Sequence, residues 1–86
     1  MRLQVLLPSR ILIDREVKKV SAESVHGVFV VLPRHIDFAT SLAPGLLAFV
    51  DSAVEEHFLA GDEGVCVKRG DALFVAAANA IHGPAL

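Results

Sequence analysis

The sequence predicts an all-β fold, a flattened antiparallel β-sandwich or barrel. Three observations carry that expectation. Short apolar segments recur between turn signals roughly every eight to twelve residues. Several of them alternate apolar and polar residues with period two. The 86 residues, 53% of them hydrophobic and 21% charged, suit one hydrophobic core and no second domain.

The elements follow in order. Leu3, Val5 and Leu7 alternate with Gln4 on a first strand that Pro8-Ser9 ends, and Ile11 to Ile13 begin the next. Asp14-Arg15-Glu16 leads into Val17 to Ala22, where the Val17-to-Val20 spacing breaks period two and predicts a bulge or an edge strand. Val25 to Leu32 is dense in β-branched residues, with Gly27 as a bulge or a point of close approach, and Pro33 closes it. Ile36 to Leu42 is a further segment, and Pro44-Gly45 predicts a type II turn and a hairpin into Leu46 to Val50. Asp51-Ser52 makes another turn. Glu56, Phe58 and Ala60 then alternate with His57 and Leu59, Gly61 to Gly64 reverses the chain, and Val65 and Val67 alternate with Cys66 and Lys68. Arg69-Gly70-Asp71 is a tight turn, and Leu73, Val75 and Ala77 define a last strand although Ala76-Ala77-Ala78 is good helix material. The count is about nine strands in two packed layers.

Composition excludes several function classes. Eight basic and ten acidic side chains leave a formal net charge of -2, with no basic stripe for a nucleic acid. The single cysteine, Cys66, closes no internal disulfide, which favours a reducing compartment. No apolar run is long enough to span a bilayer, and Gln4, Pro8, Ser9 and Arg10 interrupt any signal-peptide core. With five Phe and neither Trp nor Tyr, the core is aliphatic.

Candidate chemistry is thin. His26, His35, His57 and His82 show no His-x-His, Cys-x-x-Cys or His-Glu-x-x-His spacing that would set two metal ligands side by side, so no metal site is expected. Cys66 between Val65 and Val67 reads as a small face-filling residue rather than a nucleophile. Adjacent carboxylates at Glu55-Glu56 and Asp62-Glu63 point to opposite faces, and the scattered glycines form no phosphate loop. Arg69-Gly70-Asp71 is a turn rather than an adhesion motif. The one conspicuous local cluster is Leu32-Pro33-Arg34-His35, a rigid Pro, a cation and a titratable ring at a strand exit, where surfaces are recognised. The residues alone therefore describe a small β-sandwich that acts as an interaction module.

The run Gly27-Val28-Phe29-Val30-Val31-Leu32-Pro33-Arg34-His35, followed by Thr40, Leu42 and Pro44-Gly45, resembles the N-terminal domain of the epsilon subunit of rotary F-type ATP synthases. Leu3-Gln4-Val5, the Val17 to Ala22 strand, Leu59-Ala60-Gly61 and the stretch ending at Ala76 to Ala80 fall in register with it, so that the resemblance covers nearly the whole chain. The unusual loops are similar to those of the divergent, alternate type of F-type synthase. The resemblance implies a mostly antiparallel sandwich of about ten strands. It also implies a non-catalytic central-stalk role without a cofactor, clamping the gamma subunit to the membrane ring of c subunits at the cytoplasmic face of the membrane. Membrane contact would come only through the complex. Carried across by position, the gamma-facing surface would include Leu7, His35, Ile36 and Thr40, and the c-ring-facing edge His26, Gly27, Val28 and Arg34. This sequence departs from the family pattern at His26 and Val28, where acidic residues are common, and at Arg34, where a Gly is common. Family members usually continue into a C-terminal helical hairpin, which is expected to be absent here because residues 1–86 end at the domain boundary. The alternative from another class is a small metal-binding β-barrel of the cupin type that uses two or three of the histidines.

Overall fold

A computed structural model describes residues 1–83 of the chain. Among them are nine strands and no helix: β1 (Arg2–Leu7), β2 (Arg10–Ser24), β3 (Gly27–Val31), β4 (Phe38–Leu42), β5 (Gly45–Asp51), β6 (Glu56–Gly61), β7 (Gly64–Arg69), β8 (Ala72–Ala77) and β9 (Ala80–Gly83). The strands pair in the order β1-β8-β7-β4-β2-β5-β6-β9, with β3 on β2 and β1 also on β2. Strand β2 is thus common to two layers. One contains β1, β8, β7 and β4, and the other β3, β5, β6 and β9. All pairings are antiparallel except β1 with β8, which is parallel, Leu3 beside Leu73 and Val5 beside Val75.

The anomalous Val17-to-Val20 spacing is a bulge. The ladder between β2 and β5 shifts between Val17 and Lys19, and the buried parity changes there from Ile13 and Val17 to Val20 and Ala22. One extra residue re-aims the strand, so that the first half of β2 packs on β1 and the second half on β3 and β5. It is a bent central strand and not an edge, and Asp14-Arg15-Glu16 lies inside it rather than ahead of it.

Four further expectations are corrected. Pro44-Gly45 is not a hairpin turn: β4 pairs with β7 and β5 with β2 and β6, so the chain changes layers there. Gly61 to Gly64 is likewise a layer change, because β6 pairs with β9 and β7 with β8. Gly27 does not interrupt a strand but begins one, at φ 119 in the turn after Ser24, a conformation that side chains with a Cβ rarely adopt. The fourth segment starts at Phe38 rather than Ile36, and the short β9 has no counterpart in the period-two pattern. The Gly83-Pro84-Ala85-Leu86 terminus falls outside the described residues after Gly83. Ala76 and Ala77, good helix formers, are strand residues because β8 is held by β1 on one side and β7 on the other.

The two layers close over one aliphatic core. Leu3, Val5, Leu73, Val75 and Cys66 come from the first layer, Val20, Val31, Leu47, Phe49 and Leu59 from the second. Each fully buried Leu, Val or Phe contributes about 1.5–3 kcal/mol by leaving water.

Candidate functional site

The β3–β4 connection, Leu32 to Asp37, is built by local hydrogen bonds. Pro33 has no N–H to continue the ladder, and the His35 amide donates to Leu32 O at 2.9 Å, turning the chain. His35 Nδ1 lies 2.8 Å from Ile36 O, and its ring meets Phe38 edge-on with centroids 4.9 Å apart. Phe38 meets Phe29 in the same way at 5.9 Å. The result is an open cleft lined by Ser24, Phe29, His35, Phe38 and Thr40. Ile36, next in the chain after His35, has 78% of its surface exposed.

Of the four expected gamma-facing residues, His35 and Thr40 are therefore brought together in this cleft, and Ile36 adjoins them as the residue after His35. Leu7 is not among them. It lines a different surface depression with Pro8, Gly64, Val65 and Ala77, whereas the main chain of His35 is bound by Lys68. Gly64 and Lys68 are four strand steps apart, about 13 Å at the rise of an extended strand, although Thr40 at the near end of the cleft pairs with Cys66.

Of the c-ring set, His26, Gly27 and Val28 are contiguous in the β2–β3 turn. There Ser24 Oγ accepts from the His26 amide at 3.0 Å and donates to Gly27 O at 3.1 Å. Val28 is 72% exposed. Arg34 lies beyond the other end of β3, some 13 Å or more from Gly27 by strand length, and its neighbour is His35.

The structure also assembles a polar cluster that spacing did not suggest. Asp51, at the end of β5, is buried. Its Oδ1 accepts from the amides of Ala53 at 2.9 Å and Glu55 at 3.0 Å, and its Oδ2 from Arg15 at 3.0 Å and His57 Nε2 at 2.8 Å. The Glu55 N–H, then His57, hold the carboxyl below the usual carboxylate range. The His57 ring stacks on Phe49 at 4.9 Å, and His82 is 5.7 Å from it, centroid to centroid. Potential ligand atoms of Asp51, Glu55 and His57 lie within 4.8 Å of one another. Yet both Asp51 oxygens already accept from two donors, one of them a guanidinium that a cation would have to displace. The cluster works as a clasp joining β2, β5 and β6. The sequence signal for it was the Asp51-Ser52 turn, since an aspartate there bonds main-chain amides two to four residues ahead.

Cys66 is buried, and burial pushes its thiol up to about 11. It is not activated as a nucleophile, which requires a lowered value.

The model of the family described as "ATP synthase, Delta/Epsilon chain, beta-sandwich domain" matches residues 1–83. The ATP synthase epsilon chain of Desulfosudis oleivorans is 38% identical over 64 residues, covering 74% of this chain and 48% of that one. That of Herpetosiphon aurantiacus is 40% identical over 53 residues, covering 62% and 39%. The chain thus spans about half the length, or less, of these curated relatives. The same fold occurs in the mitochondrial ATP synthase of Euglena gracilis, solved as OSCP/F1/c-ring. There the TM-score is 0.87 at 17% identity, over 93% of this chain and 51% of that one. A chain of the Tetrahymena thermophila mitochondrial ATP synthase central stalk/c-ring gives a TM-score of 0.78 at 11% identity, over 94% and 65%. The cupin-type alternative finds no support among these relatives. With residues 1–83 matched from first strand to last, the chain belongs to the family of the ATP synthase delta/epsilon chain, as its beta-sandwich domain.

Proposed function

We propose that this chain is a non-catalytic rotor component of an F-type ATP synthase, which couples the gamma subunit to the c ring and reaches the membrane's cytoplasmic face only through that complex. The family match over residues 1–83 carries the reading. Gamma docks on the β3–β4 cleft through His35, Ile36 and Thr40, and the c ring meets the β2–β3 turn at His26, Gly27 and Val28. Leu7 and Arg34 belong to these contacts only if the partners extend beyond the two patches. The exposed Ile36 and Val28 are aliphatic groups of the kind an interface core buries.

Co-expression with a gamma subunit, followed by native mass spectrometry, tests this. A one-to-one complex is expected. Ile36→Asp, at an exposed position, and Thr40→Arg should each weaken it while the isolated domain keeps its far-ultraviolet circular dichroism. A domain that stays unbound beside folded gamma refutes the rotor role, and unchanged affinity in both variants refutes the docking surface.

A further inference from the structure

Strand β7 lies against its own hydrophobic pattern. Its β-branched residues are Val65 and Val67, yet the inward positions belong to Cys66 and Lys68. Val65 keeps 50% of its surface exposed, and Lys68 only 2%. A slip of one residue between β4 and β8 would turn both valines inward and release the ammonium to water. The strand nevertheless pairs Cys66 with Val75 and Lys68 with Leu73 on one side, and Thr40 with Cys66 and Phe38 with Lys68 on the other.

Lys68 takes part in none of the ion pairs among the described residues. Its Nζ donates instead to two main-chain carbonyls, His35 O at 2.7 Å and Gly70 O at 2.5 Å. An ammonium removed from water and held only by carbonyl dipoles is a poor device for stability, since an apolar side chain of the same volume would fill the space without desolvating a charge. What the cation does supply is position. His35 belongs to the β3–β4 connection and Gly70 to the β7–β8 turn, so one buried side chain binds two separate surface loops. A second tie runs between the same loops, from the Gly70 amide to Asp37 Oδ1 at 2.8 Å.

We infer that Lys68 is the positioning residue of the docking loop: its buried ammonium fixes the His35 carbonyl, and through it the exposed Ile36 and the rim of the Phe29–Phe38 cleft, in the shape that gamma meets. The inference rests on the docking surface proposed above. Residues Leu32 to Asp37 make no ladder hydrogen bonds, so without Lys68 the loop keeps only its His35–Leu32 turn and the Gly70–Asp37 bond, part of its order has to be supplied at the moment of binding, and affinity falls accordingly.

The test uses the whole chain, its gamma subunit and Lys68→Met, which keeps an unbranched apolar stem and deletes the donors. The variant should match or exceed the wild type in urea midpoint, because it removes a buried charge. Amide exchange at His35 and Gly70 should quicken, and the gamma dissociation constant should rise, each by about tenfold or more, the scale of losing charge-assisted hydrogen bonds. Unchanged exchange overturns the inference, and so does faster exchange with unchanged affinity for gamma. If Lys68→Met does not fold, the wild type decides: nuclear magnetic resonance should show ammonium protons of Lys68 protected from solvent, and rapid solvent exchange overturns the tie. A wild type that fails to bind gamma removes the docking reading itself, a failure distinguishable because the exchange experiment is made on the domain alone.

Discussion

Gly64 opens β7 opposite Ala77, and replacing it with alanine should be among the more damaging single-methyl changes in this domain. A methyl group there would stand 2.2 Å from the carbonyl oxygen of Ala76, 3.1 Å from its carbonyl carbon and 3.2 Å from Ala77 Cα. Comfortable heavy-atom contact begins near 3.5 Å, so the backbones must part by about 1.3 Å. The obstacle is main chain, and it cannot rotate away as a side chain would. Overpacking costs about 1–3 kcal/mol, and parting the ladder weakens one or two hydrogen bonds worth about 1 kcal/mol each. The smaller backbone entropy of alanine in the unfolded chain returns about 0.5–1 kcal/mol. These ranges centre on a net loss of about 2–3 kcal/mol, against a total on the order of 4–13 kcal/mol for a chain of this length. It corresponds to a fall in Tm of very roughly 8–24 °C. Urea titration followed by far-ultraviolet circular dichroism suits a chain without Trp or Tyr. Gly61→Ala is the internal control, because a methyl there meets only Ala80 Cβ at 3.5 Å and Asn79 O at 3.6 Å, and a change within about 0.5 kcal/mol is expected. Equal midpoints for the two variants would refute the argument from space.

Two further outcomes follow from titratable groups. Asp51 is held below the ordinary carboxylate range by the Glu55 amide and His57, so between its folded value and the unfolded value near 3.9 the native state binds fewer protons. Its stabilisation is therefore present above that unfolded value and lost as pH falls through the folded one. Urea midpoints measured from about pH 6 to pH 2 should drop more steeply for the wild type than for Asp51→Asn. Asp14, held low chiefly by Arg2, contributes the same acid limb to both proteins, and equal slopes would remove Asp51 from the account. Cys66, with its thiol pushed up to about 11, should react with a disulfide reagent at pH 8 at under a hundredth of the rate of a free thiol, and fully in denaturant. Prompt reaction in the native state would show that β7 is not registered as described.

Where burial and local turn chemistry act together, the fold was legible. Leu3 and Val5, and Leu73 and Val75, lie on buried faces as period two requires, and the irregular step from Val17 to Val20 marks a real bulge. Partner choice was not legible, because Pro44-Gly45 can end a strand without saying whether the next one returns beside it or crosses to the other layer. Nor was the inversion in β7, since Lys68 inward is satisfied only by carbonyls of His35 and Gly70, of which the first is 33 residues away. The Asp51 clasp depends likewise on Arg15, 36 residues distant. For the docking surface, strand-exit chemistry singled out the loop at His35, while its assignment to a partner came from resemblance, and neither could tell that Leu7 and Arg34 stand apart from the residues grouped with them.

The fifteen-residue β2 also constrains how the domain can form. Because its first half pairs in one layer and its second half in the other, with Ser24 at its end returning to β4 of the first, neither layer is a unit that could condense first and wait for its partner. The parallel pairing of Leu3 with Leu73 requires the first strand to find the eighth across nearly the whole chain, an entropic cost met before most of the core contacts exist. Folding should accordingly be slow for so small a domain, in the millisecond-to-second range of sandwiches dominated by non-local pairs. Cutting the chain at the bulge near Lys18 should leave neither fragment folded alone, while mixing the two restores the whole.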